Sequence, residues 1–177
     1  MSLQPIILKL ESYLQHNLNV LLVGRHGVGK TEVIKGVFEK AQLHSLYFSA
    51  STMDPWVDMI GIPKEVNEGG KSYLDLIRPK AFAEDLVQDI FLDEANRANA
   101  KVRNAMMELI QFKSINGKRF NNLRVVWAAI NPEDGEYDTE RLDPAQKDRF
   151  HVHLVLPNSP DADYMEKKYG NMGKKAV

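Results

Sequence analysis

The stretch Gly24-Arg25-His26-Gly27-Val28-Gly29-Lys30-Thr31 constrains this chain more than any other. It follows the apolar run NVLLV (19–23), too short and too uniformly apolar for a surface helix, which reads as a buried strand. Beyond it, Val33, Ile34, Val37, Phe38 and Ala41 recur on one face of a helix. Between strand and helix, the spacing G-x-x-x-x-G-K-[ST] is the P-loop pattern. Glycines let the backbone turn its N–H groups inward, which makes a concave anion site at a helix N-terminus. Lys30 would reach the β- and γ-phosphates as a point charge, and Thr31 would offer its hydroxyl to Mg²⁺. The segment expected to hold nucleotide is therefore Gly24, Arg25, His26, Gly27, Val28, Gly29, Lys30, Thr31 and Glu32. The alternative is a glycine-rich turn with a chance lysine, and the strand and helix on either side count against it.

A phosphate loop needs a carboxylate to hold the metal. DIFLD (89–93) reads as another buried strand and ends on Asp93, with Glu94 next. In open α/β sheets, ligands gather at the carboxyl ends of strands. Asp93 would then hold Mg²⁺ through water, and Glu94 would polarise the attacking water. A solvated acidic pair is the bland alternative. Asn131 ends the strand LRVVWAAI (123–130); it either faces the γ-phosphate or begins an Asn-Pro turn.

Further strands are expected at SLYFSA (45–50) and VHLVL (152–156), with helices after Pro5 and from about 99 to 112. INGKRF reads as a hairpin turning at Asn116-Gly117. Positions 51 to 85 read as irregular chain with a hairpin or short helix around 69–78. Apolar strands alternating with helices indicate a parallel sheet covered on both faces. The fold class is α/β: a P-loop NTPase three-layer sandwich with a five-stranded, mainly parallel sheet.

Bulk properties exclude some alternatives. The 177 residues suit one main domain, and the formal net charge of -1 argues against a surface that is wholly a nucleic-acid footprint. Cysteine is absent, so no disulfide or thiolate metal site exists. His151 and His153 alternate on a strand without carboxylates at metal spacing. The N-terminus lacks signal-peptide features and no apolar run reaches membrane-spanning length, so a cytoplasmic protein is expected. A guanine-specific Asn-Lys-x-Asp motif is also missing.

Taken in order, these motifs resemble the ATPase core of the AAA+ superfamily, and within it the MoxR-type branch. GRHGVGKT resembles Walker A, IFLDEANRA resembles Walker B with that branch's wording, and AAINP resembles the sensor-1 strand. LDPAQKDRF resembles the segment that carries the arginine finger, and STMDPWVDMIG the stretch after the second strand. The resemblance implies ATP and Mg²⁺ as ligands, Lys30 and Thr31 on phosphate and metal, Asp93 on metal, Glu94 as the catalytic base and Asn131 as sensor 1. Arg149 would be the finger supplied in trans to a ring, a hexamer by analogy; Arg141 is a second candidate, and a salt bridge to Asp148 or Asp143 is the alternative. Arg97 is assigned to the subunit interface. Ser49 or Ser51 would be the polar residue that switches the glutamate, and His16 and Asn17 would lie near adenine.

The same resemblance implies chaperone-like remodelling of a protein partner, and the branch commonly works with von Willebrand factor A-domain proteins. The core is expected over 1–156, with 157–177 as the start of a truncated or minimal lid, or a polar tail. Two other functions compete: an ATP-binding regulatory or assembly module with little turnover, and a nucleic-acid motor subunit, which the near-neutral charge disfavours.

Overall fold

A computed structural model of the chain describes residues 3–132, 142–157 and 166. The chain opens with α1 (Gln4–Gln15), which takes Pro5 into its first turn, where a missing N–H costs nothing. Next come β1 (Val20–Val23), α2 (Lys30–Lys40) and β2 (Ser45–Ser49). A π-type turn, Pro55–Ile60, is capped by Asp54, whose Oδ1 accepts from the N–H groups of Trp56 and Val57 at 2.8 and 2.9 Å.

The antiparallel hairpin β3 (Ile62–Glu68) and β4 (Lys71–Ile77) follows, turning at Gly69-Gly70. It is longer than the sequence suggested, because Pro63 reads as a breaker and neither face is buried enough to impose alternation. In a free two-stranded ribbon, a proline N atom on the outer edge removes no ladder bond. The rest comprises α3 (Lys80–Ala83), β5 (Asp89–Asp93), α4 (Ala100–Phe112), the small hairpin β6 (Ser114–Ile115) and β7 (Lys118–Arg119), β8 (Val125–Ile130), α5 (Pro144–Lys147) and β9 (Val152–Val155). Asn116 and Gly117 both have positive φ, as a tight hairpin turn requires. The expectation for 157–177 falls almost wholly outside the described residues.

The central sheet has the order β2-β5-β8-β1-β9, and every pair in it is parallel. Alternation along the buried strands divides the core in two. Val125, Trp127 and Ala129 face α1 and α2 with Phe91, Leu22, Ile34 and Phe38, where Phe38 and Trp127 lie 4.9 Å apart. Val126, Ala128 and Ile130 face α4 with Ile90, Leu92, Met106 and Leu109. Met106 and Met107 are both buried there, as core packing predicts. Side chains of this size each contribute about 1.5–3 kcal/mol when buried, so both helical layers are firmly held. Among the described residues, no helix is long and apolar enough to cross a membrane.

Candidate active site

Strand order explains how residues distant in sequence meet. β8 lies between β1 and β5, so Asn131 emerges between the loop after β1 and the acidic pair after β5. A cavity of about 510 Å³ opens at these carboxyl ends. His26, Gly27, Gly29, Lys30, Thr31 and Glu32 line it from the loop, and Tyr47, Ser49, Asp93, Glu94 and Asn131 from the strand ends.

Gly27 and Gly29 have φ of +80° and +87°, conformations that a side chain would strain. Gly29 starts α2, and no side chain caps that end. By contrast, Asn99 accepts from Val102 N–H at the start of α4, and Asp143 forms a capping box with Gln146 on α5. The first N–H groups of α2 and its positive dipole end therefore face the cavity.

Lys30 is nearly buried, and its ammonium donates to Gly24 O at 2.6 Å, Arg25 O at 2.9 Å and Asn131 Oδ1 at 3.0 Å. Burial lowers its pKa, opposed by the charges of Asp93 and Glu94. Asn131 Nδ2 is buried with no hydrogen-bond partner among the described residues, and Asn96 donates to the Asn131 carbonyl at 3.2 Å. Asp93 Oδ2 accepts from the Thr31 hydroxyl, and Asp93 Oδ1 accepts from Glu94 N–H at 2.9 Å.

Glu94 adopts left-handed backbone angles (φ 53°, ψ 39°), a strain that aims its carboxylate sideways from the strand end. Its Oε2 accepts from Ser51 Oγ at 2.7 Å, and its Oε1 accepts from Arg97 at 3.2 Å. Of the two serines, Ser51 touches the glutamate and Ser49 touches Ser51, at 3.1 Å. Tyr47 reaches Asp93 Oδ2 at 3.3 Å, and burial together with Asp93 and Glu94 holds its phenol pKa above the usual value.

Other expected residues lie elsewhere. Arg149 is half-buried and donates to Gln111 Oε1 at 3.0 Å and Ala145 O at 2.8 Å, beside a cavity that shares no lining residue with the one at Lys30. Arg141 lies outside the described residues. His16 bonds Ser12 O at 2.8 Å, and Asn17 Oδ1 accepts from Arg124 at 2.9 Å; neither lines the cavity. Both precede β1, whereas the phosphate loop leaves its far end, so chain polarity separates them from it. Tyr47 and Asn96 were not singled out from the sequence. Strand alternation carries a signal for Tyr47, since it stands two residues before Ser49, which pairs in register with Asp93.

The donor set fits Mg²⁺, a hard cation usually held by one or two oxygen side chains together with phosphates and water. Thr31 and Asp93 present such oxygens side by side at the mouth of the loop.

A parallel sheet with an uncapped loop-to-helix anion site at one strand end and an acidic pair at its neighbour's defines a P-loop nucleotide-binding core. The model of the ATPase family associated with various cellular activities (AAA) matches residues 19–152, and the chain belongs to that family. A curated relative, "Putative chaperone BssE" of Thauera aromatica, is 26% identical over 165 residues, covering 88% of this chain and 57% of its own length. A crystal structure of a "putative ATPase" from Cytophaga hutchinsonii superposes with a TM-score of 0.64 at 24% identity, covering 96% of this chain and 51% of that one. The chain thus spans little more than half the length of these relatives.

Proposed function

We propose that this cavity binds ATP with Mg²⁺ and hydrolyses it. The observation that carries the reading is a pair of contacts across one cavity: Lys30 against Asn131, and Thr31 against Asp93. Phosphates entering the loop meet the N–H groups of α2, and Lys30 exchanges loop carbonyls for phosphate oxygens. Asn131 offers Nδ2, the orphaned donor, to the γ-phosphate or the attacking water. Thr31 and Asp93 hold Mg²⁺, which when bound neutralises charge on the β- and γ-phosphate oxygens. Glu94 accepts a proton from the water once its carboxylate is free of Ser51, so Ser51 is the switching serine.

Arg149 is assigned to a neighbouring subunit's site, where its guanidinium stabilises charge on the transferring phosphoryl group. Its position at a separate cavity, away from its own chain's phosphate loop, supports a trans role within a MoxR-type ring, taken as a hexamer. The relative named as a chaperone supports remodelling of a protein partner, with a von Willebrand factor A-domain protein as the candidate from the resemblance.

One observation favours a second reading. Both carboxylate oxygens of Glu94 are engaged, by Ser51 and Arg97, which suits an ATP-binding assembly module that turns over little. The test is turnover per subunit as protein concentration rises, in the wild type, Glu94→Gln and Arg149→Ala. A steep rise that both variants abolish, with nucleotide binding kept, supports the motor. A flat, near-zero rate with tight ATP binding supports the module.

A further inference from the structure

Tyr47 plays no part in the chemistry assigned to the phosphate loop and the acidic pair, yet it reaches the carboxylate on which metal binding depends. Its hydroxyl donates to Asp93 Oδ2 at 3.3 Å, the same oxygen that accepts from Thr31. Asp93 Oδ1 is taken by Glu94 N–H, so the carboxylate is held at both oxygens, by α2, by β2 and by the residue that follows it. The register of β2 on β5 explains the reach. Tyr47 pairs with Phe91, and Ser49 pairs with Asp93, so the length of one phenol ring spans the two-residue offset.

The ring itself is fixed on two sides. It packs against Phe91 with centroids 5.6 Å apart, and the Lys35 ammonium, one turn beyond Thr31 on α2, sits 4.1 Å from the ring centre. Tyr47 therefore ties the helix that carries Thr31 to the strand that carries Asp93, from the open edge of the sheet. An aspartate that serves a metal must present its oxygens in one orientation, and each donor on Oδ2 narrows that choice.

We infer that Tyr47 is a positioning residue for the Mg²⁺ site, one that sets metal affinity and leaves metal-free nucleotide affinity alone. The inference rests on the nucleotide reading above. It goes beyond it by assigning to the sheet's edge strand a role in holding Asp93. Tyr47→Phe removes only the hydroxyl and keeps the ring between Phe91 and Lys35.

The experiment is a calorimetric titration of a non-hydrolysable ATP analogue at stepped Mg²⁺ concentrations, repeated in EDTA, on the wild type, Tyr47→Phe and Lys35→Met. Loss of one hydrogen bond to a charged group should raise the half-saturating Mg²⁺ concentration about tenfold in Tyr47→Phe, with affinity in EDTA unchanged. Lys35→Met, which loosens the ring but keeps the hydroxyl, should give a smaller shift in the same direction. An unchanged Mg²⁺ dependence in Tyr47→Phe overturns the inference, as does an equal loss of affinity in EDTA, which marks a general packing role. A wild-type protein whose analogue binding ignores Mg²⁺ overturns the nucleotide reading itself, a result separable from failure of the tyrosine alone.

Discussion

Each end of the central sheet holds a buried asparagine with a lysine against it, and the two pairs are used in opposite ways. At the amino-terminal end, Asn19 Oδ1 accepts from Lys113 at 2.9 Å and Val126 N–H at 3.0 Å, while Nδ2 donates to Ile110 O at 3.0 Å. Its backbone N–H donates to His151 Nδ1 at 2.8 Å, so one residue joins α4, β8 and the start of β9. At the carboxyl end, Asn131 accepts from Lys30 but keeps an orphaned Nδ2, and the neighbouring Asn96 keeps an orphaned Oδ1. Both asparagines are 2% exposed, so burial does not distinguish them. What separates them is closure. A completed network builds architecture, whereas an unfinished one at a cavity leaves a donor to spend on a ligand.

The largest expected contrast is between the two asparagines. Asn131→Ala should cut ATP turnover about a hundredfold, the usual scale for losing a donor to developing charge. Its denaturant midpoint should hardly move, because the lost side chain left one partner group, Lys30, that already has two carbonyl acceptors. Asn19→Ala should instead lower stability by about 3 kcal/mol, since it strands Val126 N–H and leaves the Lys113 charge and Ile110 O only their own contact at 3.4 Å. Chemical denaturation of both variants checks this, and equal losses would break the comparison.

Asp89 is the exception at the amino-terminal end. It is wholly buried, Oδ1 has no partner, and burial pushes its carboxyl up to about 6, eased by the Ser45 hydroxyl and Arg124. A carboxylate whose folded pKa is raised binds its proton more tightly in the native state. Its stabilising effect is complete below the unfolded pKa of about 4 and is lost as pH rises to about 6. Asp89→Asn should remove that slope and raise stability at pH 7 by about 2 kcal/mol, read from urea midpoints across pH 4 to 7.

The last contrast is between the lysines. Burial lowers Lys113 to about 8, so the native state releases its proton before the unfolded chain does. Stability should therefore rise as pH increases from about 8 to 10, the window between the two pKa values. Lys113→Met should flatten that rise without changing nucleotide affinity, as paired melting and binding curves would show. Lys30→Met should abolish nucleotide binding while the protein stays folded.

Much of the site was legible because its chemistry depends on local spacing. The phosphate loop, the Asp93–Glu94 pair and the Asn131 strand end each occupy a few consecutive residues, and apolar periodicity located the strands and α4 around them. Choosing between Ser49 and Ser51 was beyond the sequence, since both follow the same strand and only the path of the turn brings Ser51 to Glu94. The hairpin over 62–77 was misjudged in extent because exposed strands carry no burial pattern to read.

By itself the sequence determined the class of fold and the loop proposed to meet phosphate, since strand length, helical period and glycine spacing act within a dozen residues. The order of the strands belonged to the tertiary structure. Parallel pairing sets β8 between β1 and β5, which brings Asn131 to Lys30 across a separation of 101 residues. It also sets β2 beside β5, so that Tyr47 reaches Asp93. Contacts of that range depend on which strands lie side by side, a choice made by burying both faces of the sheet at once.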